Sequence, residues 1–449
     1  MSVSDWSTHL FKALILVLFL GISLYFVPYH EHWADEAQAF LVARDASWID
    51  ILTKIPHQEG QPTLWHLLLK ICINIFGKEV NISYISVGVM FIVVCLIVYN
   101  YDIPIIYKAL LPFGFYFLYQ HNIVARNYCL SYLALTIMGL LYHKRRRHPY
   151  LYAFSLIFLA ETTIFYSFVA FLFGLKWIYE ERHQLKDILF PLILLGTGGC
   201  LLLWQIFPLT SEHDKSFYYF RFSVVCERIV EAFCGWTNWV YILLFAIVIG
   251  VYLGSSNLWR TIYKNLPALF FSLICFLPFC LMSIAIHHTG LIFGLFLFLC
   301  YILSSQNTRK KHHFVLLTIF IMQIYQSIIF LTYDKMFYYN ALPYVVETLK
   351  MKAFFSQKIY TIGYYTIPLF MYDSALHFEH IDSSAYYNWE KKACKNYRIL
   401  ADILIISEDA ISCDYSYLDS QYKKLSFINP CIRGIHDHPL TLYIKKDLL

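Results

Sequence analysis

Long apolar runs recur through most of this chain, and they constrain its fold more than any other feature. Between Phe11 and Leu331 the runs have helical length and are separated by short polar loops. Of the 449 residues, 59% are hydrophobic and 14% are charged, whereas soluble domains carry about 25% charged residues. Because a helix needs about 20 residues to cross a bilayer, this pattern predicts a polytopic α-helical membrane protein.

Clusters of basic residues set the expected topology. They lie at residues 143–148 and 309–311, around Arg182 and Lys186, and at Arg260 and Lys264. Short loops rich in Lys and Arg stay in the cytoplasm, and keeping every cluster there predicts about eleven spans. Among them are spans at residues 105–119, 123–142, 239–253 and 266–286. The first helix, residues 10–27, has no signal cleavage site and is expected to be retained. Residues 62–76 are expected to form an outer juxtamembrane or re-entrant helix. The clusters are too short and dispersed for a nucleic-acid-binding face.

The C-terminal part of the chain is soluble in character. Short apolar or alternating runs predict strands at residues 358–363, 403–406, 424–427 and 440–445, and a helix is predicted at residues 386–397. We therefore divide the chain into a transmembrane domain, residues 1–332, and a small extracytoplasmic α/β domain, residues 333–449. Cys394, Cys413 and Cys431 lie in this tail, where they allow one disulfide.

An acidic stretch with two histidines, residues 30–38, follows the first helix directly. Ionisable groups beside hydrocarbon are costly and usually functional. Asp35 can act as a general base on an acceptor hydroxyl, because a carboxylate near hydrocarbon can have a raised pKa. Glu36 would orient or tune it. In the structural alternative, Asp35 and Gln38 form a capping box that opens an interfacial helix, and the two roles are compatible.

The same stretch offers possible metal ligands. His30, Glu31 and His32 could bind a cation together with Asp35. However, two histidines separated by one residue, without a third firm ligand, are not typical of a zinc motif. The sequence favours an interfacial role for these side chains. No cofactor is predicted, and a divalent metal is the alternative.

A second polar cluster precedes the next helix. His57, Glu59 and Gln61 surround a tight turn, with Pro62 expected in the first helical turn. Glu59 could complete a pair of carboxylates with the acidic stretch, or it could stand in a solvated loop. We predict that His57, Glu59 and Gln61 contribute to substrate binding.

Basic groups lie at two further helix ends expected on the outer side. Arg126 falls at the outer end of a predicted span, where its planar guanidinium suits a phosphate. A salt bridge to Glu36 or Asp35 is the alternative for Arg126. His288 could contact a phosphate or cap a turn.

Three motifs occur along the chain in a recognisable order. They are Asp35-Glu36-Ala37 after the first helix, Gly60-Gln61-Pro62 before the next helix, and Ala125-Arg126-Asn127-Tyr128-Cys129-Leu130. This arrangement resembles the glycosyltransferase C superfamily, near the branch of protein O-mannosyltransferases and lipid A aminoarabinose transferases. The resemblance covers about the first third of the chain. Where relatives commonly carry a histidine before the proline, this chain has Gln61.

The resemblance implies inverting transfer of a sugar from a polyprenyl-phosphate donor to a hydroxyl of a lipid, glycan or protein acceptor. Asp35 would be the base, and Arg126 would contact the donor phosphate. We place Tyr128, His57, Glu59, Gln61 and His288 in the same substrate-binding group. The expected location is a bacterial inner membrane with the site on the periplasmic face. The sequon Asn81-Ile82-Ser83 makes the endoplasmic reticulum membrane the alternative.

Two other functions remain open from the sequence. One is a glycan polymerase or ligase that uses a lipid-linked oligosaccharide. The other is a non-enzymatic lipid or sugar transporter, which would be expected to place ionisable groups near the bilayer midplane. The notable charges here gather at one expected membrane face, which favours chemistry at the interface.

Overall fold

The structure is a computed structural model that describes most of the chain. The described residues are 3–207, 222–234, 266–281, 286–303, 313–338, 341–372, 376–380, 401–407, 416–427 and 439–449. They are mostly helical and end in a small sheet, as the sequence predicts.

Helices form where the apolar runs were found, although their lengths vary widely. In chain order they are α1 (Val3–Phe26), α2 (Ala34–Asp45), α3 (Trp48–Thr53), α4 (Ile55–Glu59), α5 (Leu64–Phe76), α6 (Ile82–Asn100), α7 (Ile105–Leu110), α8 (Tyr128–Tyr142), α9 (Pro149–Ala160), α10 (Ile164–Glu180), α11 (Leu185–Ile206), α12 (Phe222–Cys234), α13 (Leu266–Cys275), α14 (Leu277–Leu281), α15 (Thr289–Leu303), α16 (His313–Met336) and α17 (Leu342–Met351).

Four of the described helices are long and apolar enough to cross a membrane. They are Trp6–Tyr29, Ile82–Asn100, Leu185–Ile206 and Leu316–Met336. Other apolar helices, such as Tyr128–Tyr142 and Pro149–Ala160, are shorter than the usual span of about 20 residues. By their length and apolar composition, the described helices therefore support the prediction of several membrane helices. The span predicted at residues 239–253 lies outside the described residues.

Two predicted spans are interrupted by proline. The span predicted at residues 105–119 ends as an α-helix at Leu110, and a 3-10 turn, Leu111–Phe113, and a π-helical turn, Tyr116–Gln120, follow it. Pro112 has no N–H for the helical ladder, and Gly114 after it is extended. In the span predicted at residues 266–286, the helix breaks at Phe276, and Pro278 follows as the second residue of α14, where its missing N–H cannot continue the hydrogen bonds of α13.

Two further boundaries correct the sequence analysis. The helix expected from residue 123 begins only at Tyr128, so Arg126 lies in the turn before α8 and not inside a span. Pro62 lies two residues before α5 and not in its first turn.

One compact unit comprises Met1–Tyr25, Leu52–Trp65 and Ser83–Phe330. Its core lies where α8, α9, α10 and α15 pack together. Aromatic side chains fill much of this core. The rings of Tyr152 and Trp177 meet edge to face, 5.0 Å apart between centroids.

The second unit comprises Phe26–Ile51, His66–Ile82 and Leu331–Leu449. It contains a five-stranded sheet of order β2-β1-β3-β5-β4, in which β1 is parallel to β2 and β3, and β5 is antiparallel to β3 and β4. The strands are β1 (Ile359–Ile362), β2 (Phe378–His380), β3 (Ile403–Ser407), β4 (Tyr422–Phe427) and β5 (Leu440–Lys445).

Both faces of the central strand β3 are covered. Ile403 and Ile405 join one apolar cluster, which includes residues of α17, and Leu404 and Ile406 join another. Successive side chains of a strand point to opposite faces, which explains the uninterrupted apolar run.

The predicted strands are confirmed, with ends shifted by one or two residues. The three-residue strand β2 was not predicted, because Phe378-Glu379-His380 is too short to show alternation. The helix predicted at residues 386–397 and the cysteines Cys394, Cys413 and Cys431 lie outside the described residues.

Candidate functional site

The acidic stretch opens α2, but the predicted capping box is wrong. The N-cap residue is Trp33, and Glu36 stands three residues later. The Glu36 carboxylate turns back and accepts a hydrogen bond from the Trp33 backbone N–H at 2.8 Å. Glu36, and not Gln38, therefore makes the return contact, and Asp35 lies inside the first turn. Negative charge is favourable at this end of a helix.

His30 bridges two buried carboxylates. Its Nε2 lies 3.0 Å from Glu36 Oε2, and its Nδ1 lies 3.1 Å from Asp334 Oδ2. Burial by itself would lower the pKa of His30, but the two carboxylates outweigh it and raise that pKa to about 10. Burial opposes ionisation of Glu36, yet the charge and hydrogen bond of His30 hold the pKa of Glu36 well below its usual range. Glu36 is thus an ionised, enclosed group that holds the start of α2.

Two tyrosines of the C-terminal region bind the remaining carboxylates of this stretch. The Tyr364 hydroxyl donates a hydrogen bond to Asp35 Oδ1. The Tyr372 hydroxyl donates to Glu31 Oε1 at 2.8 Å. These tyrosines lie at the start and the C-cap of one 3-10 helix, Tyr364–Met371, which packs against α2.

Asp35 and Glu36 are therefore neighbours in sequence with different environments. Asp35 is half-buried, whereas Glu36 is completely buried. A half-buried carboxylate that accepts a hydrogen bond from a phenol can still receive a proton from another molecule. The sequence analysis missed Tyr364, which lies 329 residues from Asp35 in the chain and has no recognisable spacing to it.

Three groups of the stretch could hold a metal ion. One ligand atom each from His30, His32 and Glu36 lies within 4.8 Å of the other two. His32 Nδ1 is 3.5 Å from Glu36 Oε1. The carboxylates considered from the sequence were Glu31 and Asp35, whereas the carboxylate that lies with the two histidines is that of Glu36.

In the first compact unit, two predicted substrate residues, Arg126 and His288, lie around the ring of a third, Tyr128. The guanidinium carbon of Arg126 lies 5.2 Å from the ring centroid of Tyr128. The imidazole of His288 meets the same ring edge to face at 5.9 Å, and that of His287 stacks on it at 6.2 Å. Tyr128 is buried, while Arg126 and the two histidines are half-buried. We call Arg126, Tyr128, His287 and His288, together with His121, the Tyr128 cluster.

His121 was not among the predicted site residues. Its ring lies 5.1 Å from that of Tyr128, and neither ring nitrogen has a hydrogen-bond partner within the described part of the chain. Burial, with the charges of Arg126 and His288 acting in the same direction, lowers the pKa of His121 to about 3. The ring is therefore neutral and offers one N–H donor and one acceptor. His121 lies in a loop, and it has no regular spacing to the other site residues that would have indicated its position from the sequence.

Gly290 provides the space for the His121 ring. A Cβ at this position would lie 2.6 Å from Tyr116 Cδ1 and closer still to His121 Nε2. The Gly290 carbonyl also accepts a hydrogen bond from the Tyr132 hydroxyl at 2.7 Å. The backbone at the start of α15 therefore packs directly against the cluster.

The predicted binding turn lies in the same unit. His57 and Glu59 belong to the short helix α4, which ends at Gly60 in the left-handed conformation with φ 62°. Gln61 Oε1 accepts a hydrogen bond from the backbone N–H of Ile164 at 3.1 Å. Gln61 thus supports the start of α10, and its amide oxygen is already engaged.

Comparison of the chain with protein-family models, with curated proteins and with solved structures finds no match.

The contact of Gly290 with His121 generates a stability prediction. Gly290→Ala should destabilise the protein by about 1–3 kcal/mol, because overpacking a filled site forces side chains and backbone to shift. Thermal unfolding of the purified protein in detergent would show a lower midpoint. Gly88→Ala is the matched control, since a Cβ there meets nothing within 4 Å. Equal midpoints for both variants would contradict the packing described for His121.

Proposed function

We propose that this chain is a membrane glycosyltransferase that moves a sugar from a polyprenyl-phosphate donor to a hydroxyl acceptor with inversion. The observation that carries the proposal is the difference between two adjacent carboxylates. Glu36 is enclosed and bound to His30 and the Trp33 N–H, whereas Asp35 is half-buried and accepts a hydrogen bond from the Tyr364 hydroxyl. Glu36 is suited to hold the helix start, and Asp35 to accept a proton.

In the proposed reaction, Asp35 removes the proton of the acceptor hydroxyl. The acceptor oxygen then attacks the anomeric carbon, and the bond from that carbon to the phosphate oxygen breaks. Its electron pair leaves with the polyprenyl phosphate, so the anomeric centre is inverted. Tyr364 keeps its hydrogen bond to Oδ1 of Asp35 and so restrains the carboxylate during the transfer.

The leaving phosphate needs charge stabilisation more than a proton donor. Arg126 offers a positive charge in a planar fork over the ring of Tyr128, and the His288 imidazole meets the same ring. His121 adds a neutral N–H donor. We assign the donor phosphate to this Tyr128 cluster.

We also propose that the chain is a member of the glycosyltransferase C superfamily, which its motifs resemble. The proposed protein has about eleven spans and lies in a bacterial inner membrane, with the acidic stretch on the periplasmic side. The endoplasmic reticulum membrane is the alternative location. Four helices of membrane-spanning length support a membrane location in general.

Asp35→Asn should reduce sugar transfer by about 10²–10⁴-fold, the usual contribution of a general base. The measurement is restoration of the missing glycan in a strain that lacks this protein, with each variant at equal abundance. Asp45→Asn, at the exposed end of the same helix, is the matched control and should restore the glycan fully. Full restoration by Asp35→Asn would remove the base assignment.

Arg126→Ala should weaken the use of the donor, because a charge-assisted hydrogen bond contributes about 1.5–3 kcal/mol. This corresponds to a fall in kcat/KM for the lipid donor of roughly 10–100-fold, without a change in KM for the acceptor. Arg182→Ala is the control, since Arg182 also lies over a tyrosine ring, at 4.5 Å, but on an exposed surface. A defect confined to the acceptor would contradict the phosphate role.

A further inference from the structure

We propose that His30, His32 and Glu36 bind a divalent transition-metal ion of the zinc class. From the sequence, a divalent metal was only the alternative for this stretch, with Glu31 and Asp35 as the carboxylates, and the inference is independent of the proposed sugar transfer. It rests on how the three ligand atoms are spaced and on how each side chain is held in place.

The donor atoms have the spacing of a metal site. Zinc binds histidine nitrogen at about 2.0–2.1 Å and carboxylate oxygen at about 2.0–2.2 Å, which puts tetrahedral ligand atoms roughly 3.3 Å apart. Here Nε2 of His30 lies 3.0 and 3.3 Å from the two Glu36 oxygens, and Nδ1 of His32 lies 3.5 Å from Oε1. All three donor atoms fall within 4.8 Å of one another.

Two ligands are already oriented by groups behind them. Asp334 binds Nδ1 of His30 at 3.1 Å and so leaves the opposite nitrogen directed at Glu36. The Trp33 N–H holds the Glu36 carboxylate at 2.8 Å. A carboxylate behind a ligating histidine is the usual support of such sites and fixes the tautomer and the orientation of the ring.

The ion pairs of His30 with Glu36 and Asp334 do not require His32. Its Nδ1 is shielded from solvent, and its 3.5 Å distance to Glu36 Oε1 is long for a hydrogen bond. The side chain as a whole is 15% exposed, so an ion can reach the site from this side. The rings of His30 and His32 stand edge to face with centroids 5.8 Å apart, which suits two imidazoles directed at one centre.

The charges of the buried groups also favour a cation. Glu36 and Asp334 bring two negative charges into an enclosed region, and His30 is the group between them. A divalent ion that replaced the proton between His30 and Glu36 would bring two positive charges, enough to balance both carboxylates, with both imidazoles neutral. Two nitrogens and one oxygen leave a fourth position for water or another ligand, as in zinc sites with three protein ligands.

The test uses the full-length protein, purified in detergent, treated with a chelator and dialysed. Zinc alone is the probe, and the readouts are bound zinc per chain and the thermal midpoint with and without zinc. We expect one zinc per chain and a higher midpoint in its presence. His32→Ala should lose both effects without losing the fold, because His32 lies at the edge of the ionic network. Asp334→Asn should weaken zinc binding by about 10–100-fold.

Two controls separate this site from catalysis and from surface binding. Asp35→Asn should bind zinc as the wild type does, because Asp35 is not one of the three ligands. His183→Ala, on an exposed surface, should also bind normally. Absence of stoichiometric zinc in the wild type, or unchanged binding by His32→Ala, would overturn the proposal. Neither result bears on sugar transfer, which is measured separately.

Discussion

The second compact unit depends on one buried interaction, the contact of His30 with Glu36 and Asp334. It joins the segment that follows the first helix to a residue 304 positions later in the chain. Breaking such a contact would leave a carboxylate buried without its partner, which costs about 3–5 kcal/mol. The contact therefore fixes where the acidic stretch begins and how α2 is directed.

The candidate chemistry follows from that constraint. Because Glu36 is held by His30 and by the N-cap, Asp35 is placed in the first turn of α2 with a defined side-chain direction. Tyr364 then engages one oxygen of Asp35. Substitution of Glu36 should therefore mainly impair folding, whereas substitution of Asp35 should mainly impair sugar transfer.

Short-range residue patterns predicted the helices and strands, because these elements depend mainly on interactions between residues close together in the chain. Apolar runs predicted the helices, and alternation predicted β5, where Leu440, Leu442 and Ile444 face one cluster. The partners of the site were not predictable in this way. Asp334 reaches His30, and Tyr364 reaches Asp35, across more than 300 positions of chain, and a single sequence contains no signal for such contacts. Both Asp35-Gln38 and Trp33-Glu36 have the spacing of a capping box, so only the structure could select between them.

The most direct test of the central claim is the release of polyprenyl phosphate by the purified protein. The wild type would be incubated in lipid vesicles with a panel of labelled polyprenyl-phosphate sugars and a hydroxyl acceptor, and the released lipid and the product anomer would be measured. The proposed function predicts release of polyprenyl phosphate coupled to an inverted glycoside. Movement of an intact donor across the vesicle membrane, with no release, would contradict it and identify a transporter.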